Sequence, residues 1–189
     1  MTAVTIVDYG AGNLRSLRAA FERLGVGAEI TAEPGAAERS RLLVVPGVGA
    51  AGPAMERLRA TGLAGAVRAA ADRGAHVLGI CLGLQLALEW TDEDGGVEGL
   101  GLVPGRALRL EEGRVPRMGW AEVDDRGAFY FAHSYAAVSP CATAWSEGVL
   151  AELRSASFVG CQFHPEKSGN AGAAYLTGVL EEARSLSLA

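Results

Sequence analysis

Hydrophobic residues fall along the chain in two kinds of run: short unbroken ones, and longer ones at helical spacing. Ala3 to Val7 is an unbroken run with Thr, Ile and Val, and reads as a buried strand. The loop Asp8-Tyr9-Gly10-Ala11-Gly12-Asn13 follows. Leu14, Leu17, Ala20, Phe21 and Leu24 then recur at helical spacing, and Gly25 stops that helix. Ala28 to Thr31 and Leu42 to Val45 read as strands, the second ended by Pro46-Gly47. Helices are predicted from Pro53 to Arg59 and from Leu63 to Arg73. His76 to Ile80 is a fourth strand, Cys81 follows it directly, and Leu84 to Trp90 reads as a helix. Such alternation predicts an α/β fold: βα units, right-handed crossovers and an open, mostly parallel sheet flanked by helices.

After Gly95 the segments shorten and are punctuated by Gly and Pro. Phe129 to His133, Cys141 to Trp145 and Val149 to Leu153 read as strands of a smaller antiparallel section. Ser157 to Phe163 is a final strand, and a last helix runs from Asn170 to Ala183. Glu181-Glu182 near its end opposes the helix dipole, so fraying is expected there.

Composition narrows the class. A length of 189 residues predicts one domain, residues 1–189, and 49% hydrophobic against 21% charged residues excludes disorder. No apolar run approaches a membrane span, and Asp8 and Gly10 interrupt the first one, so neither a span nor a signal peptide is expected. A net charge of -5 weighs against nucleic-acid binding. Three cysteines without paired spacing predict neither a disulfide framework nor a metal site, and fit a cytoplasmic setting. Glycine is the excess: 26 residues, clustered after the short apolar runs.

One cluster, Gly47-Val48-Gly49-Ala50-Ala51-Gly52, matches the dinucleotide fingerprint G-x-G-x-x-G. Pro46 and Pro53 bracket it, and no acidic residue ends a following strand at the right distance, so nucleotide binding is not favoured. Two readings of Pro46-Gly47-Val48-Gly49 stay open: a flexible turn, or a loop that aims backbone N–H groups at a ligand.

Gly79-Ile80-Cys81-Leu82-Gly83-Leu84-Gln85 carries the strongest chemistry. An apolar strand ends in a thiol and turns into a helix, with glycines two positions away on either side. This is the arrangement of a nucleophile elbow. Cys81 would project at the helix N-terminus, and the N–H of Leu82 would face the same pocket as an oxyanion donor. A buried core cysteine is the plain alternative, which the paired glycines disfavour. A thiol nucleophile needs a base, and the chain has three histidines. His76 lies about 16 Å away, at the opposite end of the strand. His133 and His164 remain, and Glu166 stands two residues beyond His164, placed to orient its ring. Cys141 and Cys161 read as core residues within strands.

Taken together, Pro46-Gly47-Val48-Gly49, the Cys81 elbow and Gln162-Phe163-His164-Pro165-Glu166-Lys167-Ser168 resemble class I glutamine amidotransferases. Asp8-Tyr9-Gly10-x-Gly12-Asn13-Leu14-x-Ser16, Val115-Pro116-x-Met118-Gly119-Trp120 and His133-Ser134-Tyr135 sharpen the match. The closest family is the glutaminase subunits of imidazole glycerol phosphate synthase. The resemblance implies hydrolysis of glutamine to glutamate and ammonia without a cofactor, with Cys81 as nucleophile, His164 moving protons and Glu166 orienting it. It implies an oxyanion hole from Gly47, Val48, Gly49 and Leu82, and glutamine binding by Gln85, His133, Ser134 and Tyr135. It further implies a 1:1 heterodimer with a separate (βα)8-barrel cyclase, docked near Asn13, Trp120 and Lys167. Three positions depart from the family pattern: Arg117 in place of His, Ala121 in place of Asn, and Ala51 in place of Phe. The first two are expected at the docking face, and Ala51 beside the oxyanion loop. The glutaminases of pyridoxal phosphate, anthranilate and GMP synthesis carry Gly-Gly type loops where this chain has Gly47-Val48-Gly49.

Overall fold

The computed structural model describes residues 4–186, so Ala3 of the predicted first strand and both ends of the predicted 1–189 domain lie outside it. The first half runs β1 (Val4–Val7), α1 (Leu14–Arg23), β2 (Ala28–Thr31), α2 (Pro34–Glu38), β3 (Leu42–Val45), α3 (Ala51–Ala60), α4 (Leu63–Asp72), β4 (His76–Ile80) and α5 (Leu82–Ala87). The second half runs β5 (Trp90–Thr91), β6 (Val97–Glu98), β7 (Arg106–Arg109), β8 (Arg117–Glu122), β9 (Ala128–His133), β10 (Tyr135–Val138), β11 (Ala142–Ser146), β12 (Val149–Ser155), β13 (Phe158–Cys161) and α6 (Gly169–Leu186). Short 3-10 turns at Glu93–Gly95, Asp124–Arg126 and Pro165–Lys167 join them.

A seven-stranded sheet in the order β11-β12-β13-β4-β3-β1-β2 forms the frame. Pairings from β13 through β4, β3 and β1 to β2 are parallel, and β11 and β12 add on antiparallel at one edge. A sheet β10-β7-β5-β6, antiparallel except for the parallel β5–β7 pair, and an antiparallel ribbon β8-β9 complete the smaller section. Side chains alternate across the parallel strands. Leu43, Val45 and Val77 pack with α3, α4 and α5 on one face, while Leu42, Val44, Leu78 and Ile80 pack with α1 and α6 on the other. Both faces are covered, which is why these strands read as continuous apolar runs. Among the described residues no helix is long and apolar enough to cross a membrane.

Register positions the chemistry. Val45 pairs with Gly79, and Cys161 pairs with Ile80. The C-terminal ends of β3, β4 and β13 therefore lie side by side, and the loops that leave them share one crevice.

Several expectations are corrected. The helix predicted over Leu84 to Trp90 instead spans Leu82–Ala87, and Trp90 joins β5. Every residue of α5 is buried, so its apolar pattern carries no period to mark its ends, and pairing of β5 with β6 and β7 recruits Trp90. A short helix, α2, forms where the sequence gives no apolar period; Pro34 at its first turn has φ pre-set for helix. Cys141 sits in the turn before β11, half-buried, and not in the strand core. The predicted fraying at Glu181-Glu182 does not occur. Arg154 Nη1 binds both Glu182 carboxylate oxygens at 2.6 Å, and α6 continues to Leu186.

Candidate active site

Cys81 sits between β4 and α5 with φ 53° and ψ -108°, a strained conformation for a residue with a side chain. Its neighbours pin it there. Its N–H donates to the Cys161 carbonyl at 2.7 Å, and its own carbonyl accepts from Leu84 and Gln85. The elbow closes only because two residues lack side chains. A Cβ on Gly83 would lie 1.8 Å from the Val45 carbonyl oxygen, and one on Gly79 would lie 2.7 Å from the Phe158 ring. Leu82 opens α5, where helix geometry leaves the first N–H groups without partners.

His164 enters from the end of β13. Its ring faces the same cavity as Cys81, whose thiol lies 3.7 Å from the Ala132 carbonyl, and its Nδ1 lies 3.0 Å from Glu166 Oε1, the His164 and Glu166 side chains being almost fully buried. Burial alone would pull the imidazole down. Hydrogen bonds and charge from Cys81 and Glu166 overcome that and raise it to about 9. The turn that carries His164 is tied to β9: His164 N–H donates to the Tyr130 carbonyl at 2.8 Å. Ser168 Oγ donates to the His164 carbonyl at 2.6 Å and accepts from the Tyr130 N–H at 3.0 Å. His76 lies at the far end of β4, buried, 3.6 Å from Glu182.

A cavity of about 250 Å³ opens in front of this group, lined by Val48, Gly49, Cys81, Leu82, Gln85, Glu93, His133, Ser134, Tyr135, His164 and Lys167 among others. Of the oxyanion residues, Val48, Gly49 and Leu82 thus face it. Gly47 does not: it packs behind, where a Cβ would meet Leu82 at 2.6 Å, and it lines a small adjoining cleft with Asn13 and Glu166. Tyr9 closes the back of that loop by donating to the Pro46 carbonyl at 2.6 Å.

The four residues expected to bind substrate divide into supports and contacts. Gln85 Nε2 is committed to the Tyr135 carbonyl at 2.7 Å and Gln162 Oε1 at 3.0 Å, so it braces the pocket wall. His133 Nδ1 lies 2.9 Å from the Tyr135 carbonyl, while its buried Nε2 has no partner among the described residues. Burial, with the charges of Arg117 and His164, pulls the His133 imidazole down to about 4 against the Tyr135 carbonyl. It is therefore neutral, with Nδ1–H donating and Nε2 presented as an acceptor. Ser134 and Tyr135 complete that wall.

Three contributors were not singled out from sequence. Gln162 Nε2 approaches the Cys81 sulfur at 3.6 Å. Ser168 locks the His164 turn. Glu93 is the one carboxylate in the cavity wall among the described residues, and it lies in the run Asp92-Glu93-Asp94-Gly95, which reads as a solvated turn. Only Gln162 and Ser168 carried a signal, through the motif that contains His164.

Around the mouth, Met118 and Trp120 are 61% and 59% exposed, Trp120 meets Tyr130 edge-on at 6.2 Å, and Lys167 Nζ lies 5.6 Å from the Tyr130 ring. Asn13 is exposed at the start of α1. Arg117 and Ala121 are corrected. The β8 alternation turns them away from Met118 and Trp120. Arg117 stacks over Phe131 at 4.3 Å and bonds Ser146 and Glu147, and Ala121 packs on the core.

Comparison with known proteins gives a consistent picture. The family "Glutamine amidotransferase class-I" matches residues 5–181. The imidazole glycerol phosphate synthase subunit HisH of Methanothermobacter thermautotrophicus is 42% identical over 199 residues, covering 96% of this chain and 100% of that protein. The HisH subunit of Chlorobium luteolum is 39% identical, covering 94% and 99%. A crystal structure of a glutamine amidotransferase superposes with a TM-score of 0.78 at 21% identity, covering 95% of this chain and 98% of the other.

Proposed function

Since this chain belongs to the class I glutamine amidotransferases, among relatives named as HisH subunits of imidazole glycerol phosphate synthase, we propose that it releases ammonia from glutamine for a cyclase subunit in histidine biosynthesis. One observation carries the catalytic part: a strained cysteine at a strand end shares a cavity with an imidazole that is itself held by a buried carboxylate.

The chemistry follows from that arrangement. With the thiol proton taken up by His164, Cys81 Sγ adds to the side-chain amide carbon of glutamine, and the carbonyl π electrons move onto its oxygen. The N–H of Leu82 and the Val48–Gly49 backbone face the place where that oxyanion forms, with Gly47 supporting the loop from behind. His164 passes its proton to the amide nitrogen, the C–N bond breaks, and ammonia leaves a thioester on Cys81. His164 then takes a proton from water, which attacks the thioester to give glutamate and free the thiol. Glu166 holds His164 in register throughout. Glu93 supplies a negative group for the substrate's ammonium, and neutral His133 offers Nε2 to a substrate N–H.

The cyclase would be a separate (βα)8 barrel in a 1:1 complex, in the cytoplasm. It would dock on the face that bears Asn13, Met118, Trp120 and Lys167 around the cavity mouth. Residues 1–189 would act as one glutaminase domain without a metal or cofactor. The test is to mix the chain with the cyclase and its nucleotide substrate and to measure glutamate. Stimulated release that Cys81→Ala abolishes and Lys167→Ala weakens is expected; glutamate formation that the cyclase leaves unchanged would overturn the assignment.

A further inference from the structure

Helix α3 follows the Gly47–Gly49 loop directly, and it starts without a cap of its own. Ala50 stands at its N-cap position and offers no side-chain acceptor. The first N–H groups of a helix have no intrahelical partner. Here they are met from across the cavity. Ala51 N–H donates to Glu93 Oε2 at 2.9 Å, and Gly52 N–H donates to Asp94 Oδ2 at 2.9 Å. Both carboxylates come from the turn Glu93–Gly95, some forty residues further along the chain.

That turn is built for the purpose at a cost. Asp94 has φ 55°, in the left-handed region that side chains avoid. A Cβ at position 52 would lie 2.8 Å from Asp94 Oδ2, so glycine is what lets the carboxylate reach the helix end. The last glycine of the G-x-G-x-x-G match thus serves as a seat for a carboxylate. The two acids differ in placement: Glu93 lines the cavity beside Val48 and Gly49, and Asp94 does not. Burial raises the Glu93 carboxyl, the Ala51 N–H opposes this, and Asp94 adds to it. A positive partner in the cavity would therefore favour its charged form.

We propose that the Glu93–Asp94 turn is a positioning latch for the oxyanion loop. Asp94 holds Gly52 permanently. Glu93 bridges, with Oε2 on the Ala51 N–H and Oε1 toward the ammonium of bound substrate, so that an occupied cavity tightens the loop's anchor. The bridging half rests on the glutamine reading above. Asp94 touches no reacting atom and is a positioning residue.

The experiment uses the full chain. Amide hydrogen exchange at Ala51 and Gly52 is measured by NMR in Cys81→Ser, with and without saturating glutamine, and repeated in Asp94 variants. Steady-state glutaminase rates come from the same Asp94 changes made with Cys81 intact, in complex with the cyclase. Bound glutamine is expected to slow exchange at Ala51 about five-fold, within what one strengthened charge-assisted bond supplies. Asp94→Ala is expected to speed exchange at Gly52 about ten-fold and to lower kcat to a similar degree, with KM within about two-fold, as loss of a cap would do. Asp94→Asn is expected to restore both, because its amide oxygen accepts the same N–H. Unchanged or faster exchange at Ala51 with glutamine bound overturns the bridge. Gly52 protection that survives Asp94→Ala, an effect confined to KM, or no rescue by Asp94→Asn overturns the latch. If glutamine leaves the His133 ring resonances unmoved, the glutamine reading fails and the bridge with it, and Gly52 exchange still decides whether Asp94 anchors the helix.

Discussion

The charge on His164 can be tested by removing one of the two groups that hold it. Glu166→Gln keeps an oxygen near Nδ1 and deletes the carboxylate charge at 3.0 Å. The step from an ordinary 6.5 to about 9 corresponds to roughly 3 kcal/mol in favour of imidazolium. A charge-assisted bond exceeds a neutral one by about 1–2 kcal/mol, so Glu166→Gln is expected to bring the midpoint down to between about 7.5 and 8.3. At pH 8 the imidazolium fraction would then fall from about 90% to between about 25% and 65%. With only three histidines in the chain, labelled imidazole resonances can be assigned and titrated by NMR. The sign for stability follows from the raised value: the stabilisation is full below about pH 6.5 and is lost as pH rises through about 9. The variant should therefore be less stable than the wild type at pH 6 and should approach it above pH 9. A midpoint for Glu166→Gln within about 0.3 of the wild type would refute the reasoning and leave Cys81 as the sole support of the charge.

Three further outcomes are expected. His133 is buried and neutral with its imidazole pulled down to about 4, so its contribution is present above about pH 6.5 and lost as pH falls toward 4. His133→Gln should remove roughly 2 kcal/mol of the loss between pH 7 and pH 5, read by urea unfolding; equal losses in both proteins would count against this. Gly83→Ala places a Cβ against the Val45 carbonyl and should cost more than about 3 kcal/mol, whereas Gly65→Ala, with nothing nearby, should be neutral or stabilising by up to about 1 kcal/mol. Similar melting temperatures for these two variants would contradict the elbow packing. Ser168→Ala strands the Tyr130 N–H and leaves the His164 carbonyl with the Lys167 N–H alone, and should cost about 1–3 kcal/mol and lower kcat more than it raises KM. A rise in KM alone would show that the His164 turn holds without it.

Much of the site is legible along the chain because it depends on local sterics. An apolar strand, a cysteine and two glycines at a fixed spacing describe a turn that only small residues permit, and Gly83 against Val45 shows why. His164 and Glu166 stand two residues apart, so their pairing is also a local property. The choice between His133 and His164 was not available from residues alone. It depends on which ring is brought to the Cys81 elbow, and that follows from the strand order, which sets β13 and the His164 turn beside the end of β4.

What the sequence by itself determined was therefore the kind of chemistry and the layered α/β frame, both written in short-range patterns of apolar residues, glycines and reactive side chains. The tertiary structure alone decided the rest. It set Glu93 and Asp94 on the end of α3, turned Arg117 inward while Trp120 faced out, and bound Glu182 to Arg154 so that α6 ran on. Each of these joins residues far apart in the chain. A carboxylate in a polar turn looks the same in sequence whether it meets water or a distant N–H, and only the packing of the sheet and its helices determines which.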